Sequence, residues 1–170
     1  MTNTEQFKND EMVKMDRMLY TKNTSSSNYI LLAILADVFY FVSLYKMDVG
    51  SYFYTWKIGV SIIYNLIFML IGFLSYEEVK NRGQDKKAYI ALIVLGVIQI
   101  LRIFFIPLQA YHATVNINSQ DVQVLSTGKF IWMAGCLLVS AVCLFLASLT
   151  AQKQNKALAA YVASKAEGKA

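Results

Sequence analysis

The chain alternates between long apolar runs and shorter polar stretches. Four runs are apolar over 17 to 24 residues, at 29–45, 52–75, 88–107 and 130–149. A helix of about 20 residues spans about 30 Å, which is the thickness of the hydrocarbon core of a bilayer. The pattern therefore predicts an all-α, integral membrane four-helix bundle that forms one domain over 29–150.

The third run, Ala88 to Pro107, carries Gln99 and Arg102 within an otherwise apolar sequence. A charged side chain at membrane depth is costly unless it faces protein or reaches the interface. This run therefore requires polar partners on the neighbouring helices.

The first three apolar runs carry a small set of polar residues at intermediate depth. At 1.5 Å per residue, they lie about 12 to 21 Å from the predicted inner ends. Gln99 and Arg102 are three residues apart and share a helix face. The spacing predicts one buried cluster formed by Asp37, Asn65, Gln99 and Arg102. Within it, Asp37 and Arg102 form an ion pair. The rings of Tyr40 and Tyr64 lie close enough in depth to join the cluster. Two interpretations stay open: a proton or ligand site, or mutual satisfaction of charge that fixes helix register.

The segments outside the apolar runs have their own patterns. Residues 1–28 form a charged tail in which Met12, Met15, Met18 and Leu19 recur at helical spacing, and either an amphipathic interfacial helix or a partly ordered tail fits them. Ser25 to Asn28 supply residues typical of a helix start before the first run. Residues 151–170, rich in alanine and lysine, are predicted to prolong the fourth helix.

The longest connection, 108–128, alternates apolar and polar residues. Val115 and Ile117 alternate with polar neighbours, as do Val122 and Val124. Asn118 to Asp121 favour a turn between the two stretches, so the connection predicts a small β-hairpin outside the bilayer.

Basic residues predict the orientation. Twelve of the 16 Lys and Arg lie in three segments, four in each: the N-terminal tail, the loop after the second run, and the C-terminal tail. The positive-inside rule then places both termini in the cytoplasm. Trp56 and Trp132 fall at the predicted outer ends of the second and fourth runs, where interfacial aromatic residues belong.

Composition excludes several classes. The chain is 56% hydrophobic and 16% charged, against about 25% charged for a soluble domain. The net charge is +5, but the basic residues do not interleave with aromatic residues as nucleic-acid binding requires.

Motifs typical of catalytic or metal sites are absent from the sequence. No CxxC, HExxH, GxSxG or phosphate-binding loop occurs, and the one histidine, His112, is a weak candidate ligand. We therefore expect no catalytic centre, metal or cofactor.

Small residues form two stripes at helical spacing in the fourth run. One comprises Cys136, Ser140, Cys143 and Ala147, and the other Ala134, Ala141 and Ser148. Such stripes let membrane helices approach closely. They predict packing within the bundle, with one stripe available to a partner.

Ala33 to Val38 read AILADV, which resembles the first helix of the small multidrug resistance transporters. The resemblance implies that Asp37 binds a proton and a cation in turn. The chain departs from that family in its long tails, its long outer connection, its strong orientation bias and Arg102.

Three functional hypotheses follow. The leading one is a non-catalytic accessory or structural subunit of a larger complex in the cell membrane, with a transporter as host and with the bilayer and other membrane subunits as partners. The second is a small proton-coupled oligomeric transporter that uses Asp37. The third is a membrane enzyme acting on a lipid or quinone through Glu77, Glu78 or His112.

Overall fold

The computed structural model describes residues 13, 23–45, 52–80, 86–117 and 120–167. These residues form four long helices, one short helix and a two-stranded hairpin: α1 (Thr24–Tyr45), α2 (Tyr52–Lys80), α3 (Lys86–Phe105), α4 (Pro107–His112), β1 (Thr114–Ile117), β2 (Gln120–Gln123) and α5 (Thr127–Glu167). α1, α2, α3 and α5 are each long and apolar enough to cross a membrane. The predicted all-helical class with four such helices is confirmed. The predicted N-terminal helix at Met12, Met15, Met18 and Leu19 lies outside the described residues.

α1 begins five residues earlier than the apolar run indicates. The side chain of Asn23 accepts a hydrogen bond from the backbone N–H of Ser26 at 3.2 Å and so caps the helix. The hydroxyl of Ser27 donates back to the carbonyls of Asn23 and Thr24. The serine-rich stretch therefore forms the first turn of α1 and does not precede the helix.

The other helix ends also differ from the sequence boundaries. α2 continues five residues beyond Ser75, and α5 begins three residues before Phe130. α3 ends at Phe105, and Pro107 starts α4, where a missing backbone N–H costs nothing. α5 runs for 41 residues, about 60 Å, which is twice the length needed to cross the hydrocarbon core.

The four long helices form a ring in which α1 and α3 each pack against both α2 and α5. Hydrogen bonds fix the direction of α1 against α5. Ser26 donates to the carbonyl of Ala147 at 2.6 Å near one end, and Trp132 donates to Ser43 at 3.0 Å near the other. α1 and α5 are therefore antiparallel. Ser148 on α5 donates to the carbonyl of Tyr89 on α3 at 3.2 Å, near the start of α3.

The interior consists of two apolar clusters. One lies near the start of α1 and includes Ile30, Phe68, Leu92 and Leu144. The other lies near the end of α1, α3 and the start of α5, and is formed by Tyr40, Leu44, Ile106, Ala110, Leu125, Met133 and Leu137. Between these clusters along every helix lie the polar residues described below.

The predicted hairpin is present between α4 and α5. Its strands are antiparallel, with Val115 opposite Val122 and Asn116 opposite Asp121. Asn116 Nδ2 donates to Asp121 Oδ1 at 3.0 Å across the pair. Residues 118–119 of the predicted turn lie outside the described part of the chain, and the short helix α4 was not predicted.

Candidate functional site

A buried ion pair joins α1 to α3. Arg102 Nη1 lies 2.6 Å from Asp37 Oδ1. The Asp37 side chain is fully buried and that of Arg102 is 9% exposed. The two residues are 65 positions apart in the sequence. α1 and α3 both run antiparallel to α5, so they are parallel to each other, and the two residues lie at the same depth.

Gln99 is the second residue of α3 in the cluster, one turn before Arg102. Its Oε1 accepts a hydrogen bond from Arg102 Nη1 at 2.8 Å. Its Nε2 donates to Asp37 Oδ1 at 3.0 Å and to Ser140 Oγ at 3.2 Å. Ser140 in turn donates to the carbonyl of Ala33 at 3.0 Å. The amide thus connects the ion pair to α5 and, through Ser140, back to α1.

α2 meets the other nitrogen of the guanidinium. Arg102 Nη2 donates to Asn65 Oδ1 at 2.6 Å and to Ser61 Oγ at 3.3 Å. Ser61 and Asn65 are four residues apart, so both lie on the face of α2 that also buries Phe68. All four long helices therefore contribute hydrogen-bonding side chains to one network.

Two aromatic rings flank the guanidinium. Arg102 Cζ lies 4.7 Å from the ring centroid of Tyr40 and 4.3 Å from that of Tyr64. Cation–π contacts of this kind strengthen when water is excluded. The guanidinium is held by charge, hydrogen bonds and ring faces at once, which is why it is tolerated away from solvent.

Three polar atoms around the cluster have no hydrogen-bond partner among the described residues. They are Asp37 Oδ2, Asn65 Nδ2 and Tyr64 Oη. A buried polar atom without a partner costs roughly 1–3 kcal/mol. Both terminal nitrogens of Arg102 therefore have hydrogen-bond partners, whereas only one carboxylate oxygen of Asp37 does.

The structure brings together all four residues of the predicted cluster, with both tyrosines. Ser61 and Ser140 also belong to it, which the sequence analysis did not include. The depth of Ser140 along α5, opposite Ala33 and Gln99, is the feature that would have identified it. Lys57, near the start of α2, is 7% exposed and donates to Gln109 of α4.

Both small-residue stripes of α5 face the bundle. In the first, Ser140, Cys143 and Ala147 are buried and Cys136 is half-buried; in the second, Ala141 and Ser148 are buried. α1 contacts the first stripe through Ser26 and Ala33, and α3 contacts the second through Tyr89. The buried members therefore pack within the bundle. Ala134 and Cys136 are half-buried, so a partner face at this part of α5 stays a prediction.

The residues proposed for enzyme chemistry are not gathered. Glu77 and Glu78 lie at the end of α2, whereas His112 ends α4 beside Tyr111, at 5.3 Å between ring centroids. These positions are at opposite ends of the bundle. Among the described residues, no group of three or more His, Cys, Asp and Glu is placed to hold a metal ion.

An apolar groove of about 450 Å³ runs along the outside of the bundle between α1 and α5. It is lined by Leu32, Leu35, Ala36, Phe39, Ile131, Trp132, Gly135, Cys136 and Val139. Trp132 closes one end through its hydrogen bond to Ser43. The groove is separate from the polar cluster, which lies on the inner side of α1.

Comparison of the chain with protein-family models, with curated proteins and with solved structures finds no match in any of the three. The inferences about function therefore rest on the geometry alone.

Proposed function

We propose that this chain is a non-catalytic, four-span protein of the cell membrane that acts as an accessory or structural subunit of a larger membrane complex, with a transporter as host. The observation that carries the proposal is that the Asp37–Arg102 ion pair makes its contacts with other residues of the same bundle. Its guanidinium is engaged by Asp37, Gln99, Asn65 and Ser61. A site that binds substrate anions would leave such a group turned toward a cavity.

The length of α5 supports a role in assembly. The helix continues beyond residue 150, where Ala151 and Leu158 are still buried, and none of the described residues after Leu158 is buried. Lys153 and Lys156 on this extension are exposed. An exposed, charged helix that leaves the bundle is suited to docking against a subunit outside the hydrocarbon core.

The test is extraction of the chain from its native membrane in mild detergent, with the co-purifying chains quantified. We expect a defined set of membrane subunits at fixed stoichiometry to this chain. A variant truncated after Leu158 keeps every described residue that is buried, and it is compared with the full-length chain to test the extension. Partners lost only from the shortened chain would assign docking to the extension. Recovery of this chain alone from both preparations would overturn the proposal.

The orientation belongs to the same proposal. Both termini are placed in the cytoplasm by the distribution of basic residues, and the hairpin then lies on the opposite side. Trp56 and Trp132 are 56% and 57% exposed and lie toward the hairpin end of α2 and α5, in keeping with an interfacial position there.

The second candidate is the proton-coupled transporter that uses Asp37. One observation favours it: Asp37 Oδ2 is buried and has no hydrogen-bond partner among the described residues, so it is the atom that a proton would reach. An Asp37→Asn variant separates the candidates. It should abolish proton-coupled uptake in vesicles if Asp37 titrates during transport, and it should only reduce the yield of assembled complex if Asp37 is structural. The third hypothesis, a lipid or quinone enzyme, has no supporting contact among the described residues.

A further inference from the structure

The groove between α1 and α5 is wholly apolar in its lining and opens to the outside of the bundle. In a bilayer no water fills such a groove, so its occupant is a lipid chain or another helix. Gly135 leaves part of the space, because a Cβ built there meets nothing within 4 Å.

The extent of the groove separates these two occupants. Its lining covers residues 32–39 of α1 and 131–139 of α5, which is about 10 to 12 Å along each helix. A partner helix crosses the full hydrocarbon core of about 30 Å and needs a contact of similar length, whereas one acyl chain occupies only half of it. The groove also starts at Trp132, a residue type that marks the headgroup level. Its length and position fit one chain of a lipid in a single leaflet.

The charge at the mouth of the groove selects the headgroup. Lys129 is exposed and precedes Trp132 by three residues, so it lies on the same helix face one turn nearer the end. The first turn of α5 carries no acidic residue, and the positive end of the helix dipole adds to the lysine charge. This combination attracts a phosphate that carries net negative charge.

We infer that the groove holds one acyl chain of an anionic phospholipid, with the lipid phosphate at Lys129 and the first turn of α5. The inference rests on the membrane embedding proposed above, and it does not depend on the subunit role or on which side of the membrane the hairpin lies.

Tryptophan fluorescence tests it directly, since the chain has two tryptophans and one of them lines the groove. A full-length Trp56→Phe variant leaves Trp132 as the reporter. It is reconstituted in phosphatidylcholine vesicles that contain increasing fractions of phosphatidylglycerol with brominated acyl chains, or of brominated phosphatidylcholine. Bromine quenches tryptophan only at close range. We expect half-maximal quenching at about a fivefold lower fraction of phosphatidylglycerol, the factor that one lysine near the membrane surface contributes.

Matched variants separate the contribution of the acyl chain from that of the lipid headgroup. Lys129→Gln should make the two lipids quench equally, whereas Lys156→Gln, an exposed lysine on the distant part of α5, should change nothing. Gly135→Leu fills the groove and should weaken quenching by both lipids. Gly59→Leu is its control on α2, because a Cβ there also meets nothing within 4 Å.

Two outcomes overturn the inference, and a further variant separates the causes of the second. Equal quenching by both lipids before any change at Lys129 would mean unspecific boundary lipid. Absence of quenching by either lipid would mean that a second copy or a partner helix covers the groove. The reciprocal Trp132→Phe variant leaves Trp56, which is 56% exposed. If Trp56 is not quenched either, the proposal that the protein is embedded in the membrane is wrong. If Trp56 is quenched, only the proposed lipid site is wrong.

Discussion

Arg102 on α3 donates to Asn65 on α2 at 2.6 Å, from the nitrogen opposite the one that meets Asp37. One guanidinium thereby links three helices, since Asp37 lies on α1. With Gln99 and Ser140 the network reaches α5. The polar layer therefore connects all four long helices at one depth.

Asp37→Asn should destabilise the bundle by about 3 kcal/mol or more, because it leaves the buried Arg102 charge without its counter-ion. Arg102→Met should cost a similar amount by leaving Asp37 unpaired. The two losses should not add in the double variant, since each single change already breaks the pair. The measurement is reversible unfolding of the reconstituted chain in a denaturing detergent. Strictly additive losses would show that the pair is not coupled.

Tyr64→Phe should leave stability unchanged within about 0.5 kcal/mol, because the lost hydroxyl has no partner among the described residues. Tyr64→Leu should cost about 1–2 kcal/mol, since it removes the ring that lies 4.3 Å from the Arg102 guanidinium. The same unfolding assay compares the two. A loss from Tyr64→Phe as large as that from Tyr64→Leu would mean that the hydroxyl carries the contact.

Gly96→Ala should destabilise the contact between α3 and α5. A Cβ at Gly96 comes within 2.9 Å of the Phe145 ring, which is closer than side chains pack. Overpacking of this kind costs about 1–3 kcal/mol. Phe145→Leu should restore most of the loss in the double variant by removing the ring atoms. Gly135→Ala is the control, because its Cβ enters open space, and a loss there equal to that at Gly96 would contradict the packing explanation.

Cysteine labelling should report the orientation. In a chain with Cys136→Ala and Cys143→Ala, we expect Gln120→Cys in the hairpin to react with a membrane-impermeant maleimide in intact cells. Lys156→Cys should react only after the membrane is opened, because the proposed orientation places the C-terminal extension on the cytoplasmic side. Both positions are exposed, so access to each depends on the membrane alone. Reaction of Lys156→Cys in intact cells would reverse the proposed topology.

The lengths of the apolar runs were sufficient to predict the four long helices, and the depths of the polar residues were sufficient to predict the contact between Asp37 and Arg102. Apolar runs of this length have one structural solution in a bilayer, and a buried arginine requires an acid at the same depth. The hairpin was also predictable, because β-strands alternate polar and apolar residues with a period of two.

The remaining features depend on packing that a linear pattern does not encode. Ser26 and Ser27 resemble a helix lead-in until the carbonyls of Ala147 and Asn23 are placed beside them. The stripes of α5 suggested a spare surface, but the order of helices in the ring decides which faces are covered. The α1–α5 groove depends on which faces of the two helices meet around Gly135, and no residue spacing signals it.

The separation of Asp37 and Arg102 along the chain has a consequence for biogenesis. The first helix enters the bilayer with its carboxylate unmatched, and the neutralising cation arrives 65 residues later, with the third. Until then the nascent chain must keep this acid protonated, hydrated, or sheltered by the insertion machinery. Completion of the third helix is thus the earliest moment at which the ion pair can form and this carboxylate can stay ionised away from water.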